Sequence, residues 1–153
     1  MPVSDVINPN AVVFNLEASE KTQVLRNLAE LLYRDGSINN RDAFLKDVLQ
    51  REQEGKTGIG GGIAIPHGKS DAVNRTCIAI AKLKTPIVWE TVDGLPVQIV
   101  VLFAVNQKDK NCYYVKLMSQ AARLLAQEDF CRALLSAADK DDLLKIWNQT
   151  EKE

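Results

Sequence analysis

Residues 51 to 70 read REQEGKTGIGGGIAIPHGKS, and they hold the single histidine of the chain, His67. A neutral imidazole carries a free lone pair near pH 7, because its unperturbed pKa is about 6.5. Such a ring serves as a nucleophile, a general base or a metal ligand. A metal cluster is not expected from one His and the scattered cysteines at 77, 112 and 131. Pro66 fixes its own φ and drives Ile65 towards extended geometry. Gly68 allows the chain to turn away or to approach a ligand closely. The sequence therefore predicts an imidazole in a tight turn after the short strand 63–65, at the rim of a sheet, where ligands of open α/β folds bind.

The neighbouring residues suggest what the ring would handle. The run TGIGGG could turn backbone N–H groups of Gly58 and Gly60 towards an anion, with Gly68 close by and the Thr57 hydroxyl adding a donor. Arg51 ends the preceding helical pattern. It either reaches a phosphoryl group with its planar fork or complements the helix C-terminus from the surface. Lys56, Lys69 and Arg75 read as solvated charges.

Known nucleotide motifs do not fit. GKS at 68–70 resembles the end of a P-loop, but that motif needs Gly at 63, where Ile63 stands. The dinucleotide pattern also requires a glycine at 63, and no strand leads into the loop. No G-x-S-x-G elbow occurs, and the cysteines lie on or near apolar segments, which favours structural thiols. The remaining chemistry is a histidine that is itself the nucleophile, attacking phosphorus and holding the phosphoryl group on nitrogen. Loop amides and Arg51 would offset the charge on its oxygens. Such a site uses no cofactor.

The elements that would position this site follow from periodicity. A short strand is expected at 12–14. Ser19 caps a helix with Val24, Leu25, Leu28, Leu31 and Leu32 on one stripe, stopped at Gly36. A second helix starts near Asn40 and Arg41, buries Phe44, Leu45, Val48 and Leu49, and ends at Gly55. Strands are expected at 76–83 and 96–105, with a turn at Asp93-Gly94 between them. The second is almost wholly apolar and should be central, covered on both faces. After a polar loop from Lys108 to Asn111 comes a helix with Val115, Leu117, Met118, Ala121, Leu124 and Leu125 inward. Two more helices follow, at 130–137 and 139–149, the last capped by Asp139. This interspersion predicts an α/β fold, a single-domain mixed β-sheet flanked by α-helices on both faces, spanning 1–153.

Composition narrows the partners. The chain has 153 residues, a net charge of −1, 46% apolar and 25% charged residues. No basic block is present, which argues against nucleic acid. The apolar run 99–105 is far too short to cross a bilayer, and the N-terminus lacks the pattern of a signal peptide. A cytoplasmic protein with reduced thiols and no direct membrane insertion is expected.

REQEGKTGIGGGIAIPHGK at 51–69 strongly resembles the active-site signature of the fructose/mannitol-type enzyme IIA domains of the bacterial phosphotransferase system. LKTPIVWETVDGLPVQIVVLFAV at 83–105 is similar to that family's next segment, and KLMSQAARLLAQEDFCRALLSA at 116–137 to its C-terminal helices. The resemblance implies that HPr donates a phosphoryl group to His67, and that an enzyme IIB domain accepts it for uptake of a fructose-like sugar. Arg51 matches the arginine near the family's site. It also implies that membrane association arises only through the transporter complex. Tyr114 falls where many members carry a second histidine; it either donates a hydrogen bond or packs at the helix start. A regulatory role, like that of the family's nitrogen-related branch, is the alternative.

Overall fold

The computed structural model describes residues 2–108 and 113–152, the side chain of Tyr113 excepted. The expected polar loop and Cys112 fall largely or wholly outside that range. Among the described residues the sheet has six strands: β1 (Ile7–Leu16), β2 (Gly58–Gly60), β3 (Ile63–Ala64), β4 (His67–Ser70), β5 (Cys77–Ile87) and β6 (Val97–Asn106). Five α-helices accompany them: α1 (Lys21–Arg34), α2 (Arg41–Glu54), α3 (Tyr113–Leu125), α4 (Glu128–Ser136) and α5 (Lys140–Lys152).

The strand order is β1-β5-β6-β3-β2, with β4 also paired to β6. β5 runs antiparallel to β6 while β3 and β4 run parallel to it, so the sheet is mixed. As its apolar sequence requires, β6 is central, with Val97 and the whole stretch 99–105 buried. Alternation along β5 and β6 divides the core. Ala79, Ala81, Val100 and Leu102 face α1 and α2; Ile78, Ile80, Val101 and Phe103 face α3, α4 and α5.

Local chemistry sets the element ends. Gly36 takes φ +82° after α1, where Ser37 N–H donates to the Leu32 carbonyl in a Schellman closure. Asn40 caps α2 by accepting from Ala43 N–H, and Asp139 caps α5 by accepting from Asp142 N–H. Ser19 is not the cap of α1. Its N–H and hydroxyl donate to Gln23 Oε1, and the helix starts one residue later than expected, behind Glu20. Val115 is 46% exposed rather than inward, whereas Leu117, Ala121 and Leu125 are buried as expected.

The largest difference concerns His67, which opens a strand instead of sitting in a turn. Gly60 to Ile63 forms a tight hairpin, with Gly61 and Gly62 both at positive φ. β3 and β4 then pair with β6 in one register, Ile63 opposite Ile99 and His67 opposite Phe103. Pro66 has no N–H to give, so the ladder breaks there. Its carbonyl still accepts from Phe103 N–H (3.0 Å), and the chain continues straight on.

β4 lies at an open edge, and α2 crosses it at Gly68. A Cβ on Gly68 would stand 2.5 Å from Val48 Cγ2 and 3.1 Å from Phe44 Cε1. We expect Gly68→Ala to cost about 1–3 kcal/mol, as overpacking does. Urea unfolding of the variant measures it, and an unchanged midpoint would show that α2 can move aside freely.

Candidate functional site

Val48 and Arg51 are one helical turn apart, so the residue that presses on Gly68 also fixes where the guanidinium emerges. Arg51 Nε–H donates to His67 Nε2 at 3.0 Å. That contact defines the neutral tautomer: Nε2 keeps its lone pair and Nδ1 carries the proton. Both residues are half-buried, in a recess lined also by Asp47, Gln50, Glu54, Lys69 and Tyr114. His67 Nδ1 and Arg51 Nη1 are buried and have no hydrogen-bond partner.

The electrostatics hold the ring neutral. Burial lowers the His67 pKa below its ordinary value of 6.5, and the Arg51 charge lowers it further. The Ile65 carbonyl and Glu54 act in the opposite direction but do not prevail. An uncharged imidazole that keeps its Nε2 lone pair unprotonated, beside a permanent cation, is suited to attack an electrophilic phosphorus once Arg51 lets go. It is poorly suited to act as an acid.

The expected glycine cradle is built differently. Thr57 Oγ1 donates to Glu52 Oε1 (2.9 Å) and accepts from Trp89 Nε1 (2.9 Å), so its hydroxyl is engaged away from His67. Gly58 N–H donates to the Glu90 carbonyl, and a Cβ on Gly58 would collide with Thr91. Gly60 takes φ +93° in the hairpin. The loop does meet an anion, namely Asp93: its carboxylate accepts from the N–H groups of Leu95 and Gly61, which hold it below the usual carboxylate range. Thr57, Gly58 and Gly60 therefore shape the loop rather than line the recess. Gly68 adjoins His67 but serves helix packing.

Arg75 points elsewhere, donating to Ser37 Oγ (3.3 Å). The sequence reading passed over Glu54, Asp47 and Lys69 as recess residues. For Lys69 a signal was present: it stands two residues after His67, on the same strand face. Among the described residues, no three His, Cys, Asp or Glu side chains are grouped to hold a metal ion.

The family model described as "Phosphoenolpyruvate-dependent sugar phosphotransferase system, EIIA 2" matches residues 5–150. The chain is 32% identical over 152 residues to the "PTS system fructose-specific EIIABC component" of Bacillus subtilis (strain 168), covering 99% of this chain. It spans only 24% of that relative's length. It is also 32% identical over 146 residues to the "Nitrogen regulatory protein" of Bradyrhizobium diazoefficiens, covering 95% of this chain and 94% of that one. The crystal structure of nitrogen regulatory protein IIA-Ntr from Neisseria meningitidis superposes with a TM-score of 0.86 at 22% identity, covering 95% and 98% of the two chains. A chain in the complex of enzyme IIAMTL and phosphorylated enzyme IIBMTL from Escherichia coli superposes with a TM-score of 0.78 at 17% identity, covering 94% and 97%. At those identities the structural matches establish the fold.

The titration of His67 is a direct readout of the geometry. Because its folded pKa is depressed, the unfolded chain binds a proton that the folded one refuses. Stability is therefore fully present above about pH 6.5 and declines as pH falls through the folded midpoint. We expect a midpoint below 6.5 by NMR, raised in Arg51→Ala and lowered in Glu54→Gln. A midpoint unmoved by Arg51→Ala would mean that the guanidinium does not face the ring in solution.

Proposed function

The chain belongs to the EIIA 2 family of the phosphoenolpyruvate-dependent sugar phosphotransferase system, and on that premise we propose that it is a phosphoryl carrier that holds the group on His67. The observation that carries this reading is the 3.0 Å contact of Arg51 Nε with His67 Nε2 in the recess beside β4.

Transfer starts when a donor phosphohistidine, on HPr, brings its phosphorus to Nε2. The Nε2 lone pair forms the new N–P bond while the donor N–P bond breaks and returns its electron pair to the donor ring. Nδ1 is buried, which favours Nε2 as the acceptor atom. Arg51 must release Nε2 as the phosphorus arrives. Its Nε–H then turns to a phosphoryl oxygen, and the unpaired Nη1 supplies a second donor. The reverse exchange passes the group to an enzyme IIB domain.

The same site serves either of two physiological roles. The fructose-specific relative supports a relay in uptake of a fructose-like sugar, while the equally similar nitrogen regulatory relative supports control of protein partners by phosphorylation state. No helix among the described residues is long and apolar enough to cross a membrane, so a transporter complex would supply any membrane contact. The site as read draws on no metal or organic cofactor.

Incubation with phosphoenolpyruvate, enzyme I and HPr, followed by mass mapping, tests the reading. His67→Ala should fold and take no label; full labelling of that variant would refute the assignment. Arg51→Ala should slow transfer by about tenfold or more, the scale of one charge-assisted hydrogen bond. Rapid discharge to a sugar-specific IIB domain supports the relay, and its absence supports the regulator.

A further inference from the structure

Lys69 is two residues beyond His67 on β4, so the two side chains share a strand face, and both line the same recess. The Lys69 ammonium lies 4.7 Å from the centroid of the Tyr114 ring. Among the described residues it forms no ion pair, although Asp47 and Glu54 line the recess too. Among the described residues, a cation this close to His67 is thus held by a π face and not by a carboxylate.

We propose that Lys69 is a second cation of the phosphoryl site, positioned by the Tyr114 ring; this rests on the phosphoryl reading of His67. A phosphoryl group brings a charge of about −2 near pH 7. Arg51 offsets one unit. Glu54, on the same rim, is repelled by the incoming group, so a second cation is needed for balance. Lys69 meets the phosphoryl oxygens from the α3 side, opposite Arg51 on α2. The Tyr114 ring restricts a long, rotamer-rich chain to the recess before the phosphoryl arrives, which lowers the entropy lost on contact. Tyr114 acts through its ring face, and its hydroxyl is not required.

The test uses phosphoramidate as a small donor, which removes partner docking from the rate. The Nε2–P bond forms, the P–N bond of phosphoramidate breaks, and its protonated nitrogen leaves as ammonia. Lys69→Met should slow His67 labelling about tenfold, and Lys69→Arg should restore it to within about threefold. Tyr114→Phe should label at the native rate, and Tyr114→Leu about threefold more slowly. In the Lys69→Met background Tyr114→Leu should add nothing, because the ring works through the lysine. The phosphohistidine 31P shift should move in Lys69→Met and stay in the Lys56→Met control. Native-rate labelling of Lys69→Met overturns the proposal, and a Tyr114→Leu effect that persists without Lys69 overturns the positioning role. A wild-type protein that takes no label at His67 overturns the phosphoryl reading and this inference with it.

Discussion

A permanently charged guanidinium donating to the nitrogen proposed here as the nucleophile is the constraint around which this structure is arranged. The contact opposes the proposed attack, since the hydrogen bond occupies the lone pair that attack requires. It is resolved by comparing bonds before and after transfer. The Arg51–His67 bond joins a cation to a neutral acceptor. A bond from the same N–H to a phosphoryl oxygen joins opposite charges and is stronger. On the proposed reading, release of Nε2 and capture of the phosphoryl are one exchange, favourable in the forward sense and still reversible. A carrier needs that property, because a group bound too firmly would not be passed on. Meanwhile burial, aided by the cation, holds the His67 pKa below its ordinary value and so favours the unprotonated ring at neutral pH.

That exchange demands a helix end whose position is fixed from both sides. On one side Gly68 lets Val48 close onto β4. On the other, Glu52 is nearly buried and accepts from Lys21 (3.2 Å) and Thr57 (2.9 Å), while Trp89 donates to Thr57. Lys21 also pairs with Glu90 and lies over the Trp89 ring. Consecutive residues thus divide the work: Glu52 anchors α2 to the start of α1 and to the 88–95 segment, and Arg51 faces the imidazole. A buried carboxylate with one partner removed is costly, so this anchor cannot relax cheaply.

The legibility of these parts in the sequence followed the range of the forces involved. The continuous apolar stretch of β6, the stripe on α1, the start of α2 near Asn40, the Asp139 cap and the Gly36 stop all depend on neighbours within a few residues, and all were readable. So was the pairing of His67 with Arg51, through a resemblance that spans the whole motif. The role of the glycine loop was not. A glycine required because Thr91 presses on it from 33 positions away looks, in sequence, the same as one freed to bind an anion. The Thr57 hydroxyl could not be assigned before Glu52 and Trp89 were brought together. The turn expected at His67 failed for a related reason: Pro66 interrupts a ladder without ending a strand when the neighbouring strand keeps its register.

Placing the proposed nucleophile on an edge strand, and not beyond the strand ends, has its own logic. An edge is flanked by helices from both faces of the sheet, here α2 and α3, so groups from two layers converge on one nitrogen. It has a strand partner on one side only, which suits the proposed meeting with one protein and then another. Open edges invite unwanted strand pairing, and natural sheets guard them with proline, with charge and with shortness. β4 has all three: Pro66 at its start, Lys69 within it, and four residues in total. The features that protect the edge from other strands are thus next to, or within, the proposed phosphoryl site.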